Sequence, residues 1–100
     1  MIKNVFSFKA KVWLYEGPSA WHFITVPTEI SKEIDFYFGL EKKGWGSLPV
    51  EITIGNTSWK TSIFPDKKVN SYILPLKKEV RTNESIELDD IISVQLKIRI

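Results

Sequence analysis

The sequence predicts a mainly β fold: a small closed six-stranded barrel with pseudo-two-fold symmetry and two short helices. Three observations carry that expectation. The first is a pair of similar turns, Thr25-Val26-Pro27-Thr28-Glu29-Ile30-Ser31-Lys32-Glu33-Ile34 and Ile73-Leu74-Pro75-Leu76-Lys77-Lys78-Glu79-Val80, whose prolines stand 48 residues apart. In each, an apolar strand runs into proline, a short charged helix follows, and a later alternating strand closes the unit. The second is period-two alternation of apolar and polar residues, the pattern of half-buried strands. The third is an aromatic content of 13%, including four tryptophans, which supplies large buried areas to a small β-rich core.

Each element follows in order. Residues 5–15 alternate, with Phe6, Phe8, Ala10, Val12 and Leu14 on one face and Ser7, Lys9, Lys11, Trp13 and Tyr15 on the other. An extended run of that length spans about 36 Å, so the strand is expected to bend. Glu16-Gly17-Pro18-Ser19 is a turn by composition, and residues 20–26 return as the second arm of a hairpin. Pro27 stops that strand, Thr28 is the expected N-cap, and Ile30, Ile34 and Tyr37 or Phe38 fall at helical spacing before Gly39 ends the helix. A loop with Gly44-Trp45-Gly46 precedes a strand over residues 48–54. Gly55-Asn56 is a tight turn, and residues 58–64 pair back. Pro65-Asp66 opens a polar loop to Asn70. A short strand over residues 71–74, Pro75 and a helix to about Arg81 come next. The last strand, residues 91–100, points Ile92, Val94, Leu96, Ile98 and Ile100 inward.

One hundred residues make one domain, spanning residues 1–100. A net charge of +2 is too small to demand a polyanionic partner. The absence of cysteine excludes disulfides, thiolate metal sites and cysteine nucleophiles. No run reaches the ~18 apolar residues of a membrane span, and Met1 to Ser7 holds no long apolar stretch of a leader. The expected compartment is the cytoplasm.

Four motifs occur in order: Trp21-x-Phe23-x-x-Val26-Pro27, Gly44-x-Gly46-Ser47-x-x-Val50, Trp59-x-Thr61-Ser62-Ile63-Phe64-Pro65 and Leu74-Pro75-Leu76-Lys77-x-x-Val80-Arg81. The ordered set resembles the prokaryotic family DUF1905, a domain of unknown function, over about residues 5–99. The resemblance implies a fold similar to the double-split, swapped-hairpin barrels of AbrB-type transition-state regulators and MazE-type antitoxins. In those barrels a glycine precedes the final strand. Asp89 stands in that place here, where a positive φ is expected, which aspartate tolerates at some cost. Members often carry a further helical module; residues 1–100 read as barrel alone. The resemblance implies no established activity.

The side chains point away from catalysis. His22 is the only histidine and has no partner motif. Gly44-x-Gly46 precedes a strand, whereas a dinucleotide fingerprint follows one and opens a helix. Glu84, Glu87, Asp89 and Asp90 lack the spacing of a calcium loop. No metal or cofactor is expected. Trp21 and Trp59 read as core, while Trp45 stands in a glycine-flanked loop. Even an eight-stranded barrel is filled by side chains or one small ligand, so a site belongs at a barrel end or in an outer groove. The candidate ligand-binding residues are Trp45, Lys77, Arg81 and His22. The leading expectation is a monomeric, non-enzymatic binding module for a small molecule, peptide or protein. Nucleic-acid binding follows from the AbrB-type resemblance as an alternative. An enzyme with a polar site at a barrel end is the third reading.

Overall fold

Val12 divides the long first strand. In the computed structural model, which describes residues 3–17 and 20–100, the strands are β1 (Val5–Lys11), β2 (Trp13–Tyr15), β3 (Trp21–Thr25), β4 (Leu48–Ile54), β5 (Thr57–Asp66), β6 (Ser71–Pro75) and β7 (Ile91–Ile98). The helices are α1 (Thr28–Phe38) and α2 (Lys78–Asn83), with a 3-10 turn at Gly39–Glu41. Pro18 and Ser19 of the expected first turn, and Met1 and Ile2 of the N-terminal run, lie outside the described residues. Among the described residues no helix is long and apolar enough to cross a membrane.

β1 pairs with β7, β2 pairs with β3, and Val12 joins neither ladder. Its N–H donates to the Asp90 carbonyl at 2.8 Å, and its carbonyl accepts from the Asp89 N–H at 3.0 Å. The loop before β7 thus satisfies the backbone groups that the bend removes from the sheet. The described strands form one antiparallel sheet in the order β1-β7-β4-β5-β6-β3-β2. This corrects the expected closed six-stranded barrel to a seven-stranded open half-barrel. Its two end strands, β1 and β2, are joined by the chain at Val12 rather than by a hydrogen-bonded ladder.

The repeat survives in the pairings. They map onto themselves when β1 and β2 together exchange with β5, β3 with β6, and β4 with β7. β5 serves two neighbours as the first strand does: Thr57–Ile63 face β4 and Phe64–Asp66 face β6. Pro65 and Asp66 therefore continue a strand where a loop was expected, opposite Tyr72 and Ser71. Thr25 and Ile73, each two residues before its proline, are direct cross-strand partners.

Phe6, Ile24, Leu48, Ile52, Ile63, Leu74 and Leu96 fill the concave face. Leu14 and Ile100, expected inside, are 38% and 59% exposed, Leu14 on the short β2 beyond the bend and Ile100 two residues past the end of β7. Ile34 and Phe38 bury one face of α1. Thr28 does not cap that helix; its Oγ1 meets Ser71 Oγ at 3.2 Å. Ser31 docks α1 instead, accepting the Tyr72 N–H at 3.2 Å and donating to the Val26 carbonyl at 3.4 Å. Gly39 keeps a helical φ of −56° and leads into the 3-10 turn rather than stopping the chain. α2 starts three residues after Pro75 and runs to Asn83, slightly later than expected. Asp89 does take the positive φ expected of it, at 72°.

Candidate functional site

The odd-numbered residues of the β2–β3 hairpin face outward, because their even-numbered neighbour Ile24 is fully buried. Four of those five outward positions are large aromatics, Trp13 opposite Phe23 and Tyr15 opposite Trp21, and the fifth is Thr25. Trp13 and Phe23 lie 5.1 Å apart and 29° from parallel. Trp21 and Phe23 lie 6.1 Å apart at 16°. Tyr15 meets Phe23 edge-on at 6.4 Å. The Trp13 Nε1–H donates to Thr25 Oγ1 at 2.9 Å, which fixes its ring on the strand. Together with Pro65, Asp66, Lys67, Lys68, Val69 and Ile73, these rings line an outer groove of about 690 Å³.

A second cavity, of about 420 Å³, opens at the end of the half-barrel. Trp59 and Thr61 of β5 contribute from its concave face, paired with the buried Ile52 and Val50. His22 enters from β3 on the same face as Ile24, and Leu76 follows β6. Lys60, Lys77, Lys78 and Arg81 supply positive charge. The Arg81 Nε–H donates to the Leu76 carbonyl at 3.1 Å, which orients the guanidinium. The His22 Nδ1 is buried with no hydrogen-bond partner among the described residues. Lys77 lies 3.9 Å from Glu79 in an exposed pair worth little.

The structure thus brings His22, Lys77 and Arg81 to one cavity and leaves Trp45 out. Trp45 stands 91% exposed on a loop pinned by the Lys43–Ser47 bridge, with Gly44 and Gly46 at positive φ. Trp59 packs against the core as expected. Trp21 does not: it is 54% exposed and borders both cavities. The outer aromatic cluster was missed as a unit. Its signal was the hairpin register, which makes Trp13, Tyr15, Trp21 and Phe23 neighbours on one face once the turn is centred between Tyr15 and Trp21.

A third polar cluster joins α1 to β6. The Tyr72 hydroxyl donates to Asp35 Oδ1. Lys42 Nζ lies 3.1 Å from the same oxygen and 5.4 Å above the Tyr72 ring. Burial, then the hydrogen bond to Asp35, then the charge of that carboxylate push the phenol well above its ordinary value. This cluster fastens a helix to a strand. The acidic loop is also structural: Glu84 accepts from Thr57, Asp90 accepts from the Glu87 N–H, and Asp89 faces Lys11. Among the described residues no three metal-ligating side chains converge.

No curated protein matches the chain. The family model described as Domain of unknown function (DUF1905) matches residues 8–96, nearly the whole length, and the chain belongs to that family.

Proposed function

We propose that this protein is a non-enzymatic binding module whose ligand carries a flat unsaturated ring and a negative charge. The observation that carries this reading is the position of Trp21. One wall of its surroundings is the aromatic groove and the other is the cationic mouth. A ligand resting on Trp21 meets ring faces on one side and the Lys77 ammonium and Arg81 guanidinium on the other. Cavities of these sizes suit small-ligand recognition. His22 supports binding more than acid–base work, because its Nδ1 has no hydrogen-bond partner among the described residues to orient the imidazole. The two-fold-related partners β3 and β6, and β4 and β7, pair within one chain, which supports a monomer.

The test uses 8-anilinonaphthalene-1-sulfonate, an aromatic sulfonate with both features. Saturable binding at one site is expected, weakened by Trp21→Ala and by the double variant Lys77→Ala/Arg81→Ala. Absence of saturable binding, or binding indifferent to both variants, overturns the reading.

A further inference from the structure

We infer that the physiological occupant of this surface is single-stranded nucleic acid, an inference that rests on the binding site just proposed and names its ligand class. Three relationships point there. The first is charge. Lys67 and Lys68 rim the groove, and Lys60, Lys77, Lys78 and Arg81 surround the mouth, while among the described residues Asp66 is the sole carboxylate lining either cavity. Six of the 14 Lys and Arg residues but one of the 12 Asp and Glu residues border this surface. Six cations against one carboxylate give this surface a local excess of five positive charges in a protein whose formal net charge is +2. Even Asp66 is engaged, accepting the Lys68 N–H at 3.1 Å.

The second is the order of the parts. The rings share the groove with Lys67 and Lys68, and Trp21 alone among them also borders the mouth with Lys77 and Arg81. A lone nucleotide places its phosphates on one side of its base. A strand places phosphates on both sides, which matches charge at Lys67 and Lys68 and again at Lys77 and Arg81. The third is the stack itself. Trp13, Phe23 and Trp21 lie within 29° of parallel in successive pairs, and Trp21 ends the series with half its surface open. A planar base extends such a stack, as in proteins that hold single strands on aromatic platforms. Duplex bases are already stacked on their neighbours and offer no free face.

The expected arrangement has a base on Trp21, the adjoining phosphate against Lys77 and the Arg81 terminal nitrogens, and the strand continuing over Phe23 and Trp13 towards Lys67 and Lys68. Arg81 is suited to this role because its Nε is already committed to Leu76, leaving the forked end for a phosphate. The rings and charges read no base sequence, so DNA and RNA strands both qualify.

Fluorescence anisotropy with labelled dT12 and rU12 in low salt tests the inference. Both are expected to bind more tightly than a duplex of equal length. Trp21→Ala is expected to weaken binding by about tenfold, in the range of losing one stacked base. Lys77→Ala/Arg81→Ala weakens it and flattens the logarithmic salt dependence by about 1.4, two phosphate contacts at roughly 0.7 each. Trp45→Ala, at a residue that lines neither cavity, leaves binding unchanged. Circular dichroism melts confirm that each variant folds. No binding of dT12 or rU12, equal or tighter duplex binding, or affinity unaffected by Trp21→Ala overturns the inference. So does equal affinity for heparin, which carries charge without bases. Loss of oligonucleotide binding with the aromatic sulfonate still bound sinks only the ligand class; loss of both sinks the site as well.

Discussion

The Glu84 carboxylate stands where a side chain on Gly55 would begin. A Cβ built on Gly55 collides with its oxygens, and Gly55 holds a φ of 58°. Gly55 is the first central residue of the two-residue turn between Ile54 and Thr57, a position where glycine supplies positive φ at little cost. Glu84 Oε2 accepts from Thr57 Oγ1 at 2.6 Å, which ties the end of α2 to the β4–β5 hairpin. Gly55→Ala both strains the turn and displaces that bond. It is expected to cost about 2 kcal/mol. Part of the cost should vanish in a Glu84→Ala background. Urea denaturation of the four proteins checks this, and strictly additive effects would contradict the contact.

Asp89 pays for its φ of 72° with an ordinary Cβ in left-handed space. It keeps that conformation because its N–H must reach the Val12 carbonyl where the first strand bends. Its ion pair with Lys11 is exposed and adds little. Asp89→Gly is expected to be more stable than Asp89→Ala by about 1 kcal/mol. Thermal melts of the two variants compare them directly. Equal stability would show that the backbone relaxes.

Tyr72 makes the protein sensitive to alkali. Its folded-state pKa is raised above the ordinary phenol value of 10.0, so its contribution to stability is complete below that value. The contribution is lost as the pH climbs from there towards the folded pKa, because the unfolded phenol ionises first. The difference in ultraviolet absorbance between wild type and Tyr72→Phe should show no phenolate from Tyr72 until the protein unfolds. Tyr72→Phe should also cost about 1 kcal/mol at neutral pH, since Asp35 is half exposed and the bond is partly screened. An early phenolate signal from Tyr72 would refute the arrangement.

Sedimentation should give a monomer at micromolar concentration. The repeat-related strands pair inside one chain, so a second copy is not needed to supply a hairpin. A dimer with exchanged hairpins would contradict this proposal.

Much of the fold was legible because burial imposes a period of two. β4, β5, β6 and β7 and both helices follow that rule or its helical counterpart. The break at Val12 was less legible, since Val12 continues the alternation perfectly. Its departure from the ladder depends on Asp89 and Asp90, far along the chain. Pro65 misled for a local reason: proline usually ends strands, yet here the strand continues because it changes neighbours from β4 to β6 at that point. Of the site, Lys77 and Arg81 were legible as residues behind Pro75, and His22 as the lone imidazole. Trp21 reads as core because a large apolar ring in a strand of a small barrel is normally buried, and Trp45 reads as a site residue because its glycine-flanked loop sits at a barrel end; burial on a strand is decided by pairing, which neither reading contains.

By itself, then, the sequence determined which faces are apolar, where two prolines stop two strands, and that the halves resemble each other. These are local properties, set by backbone restriction at Pro27 and Pro75 and by alternation of side chains. Tertiary structure alone decided that the first strand bends at Val12 and leaves the sheet an open half-barrel. It alone decided that Trp21 lies between the ring stack and the charges of Lys77 and Arg81. Such relationships depend on which strand pairs with which, and that is settled by burying the whole apolar surface at once rather than by any neighbouring residues.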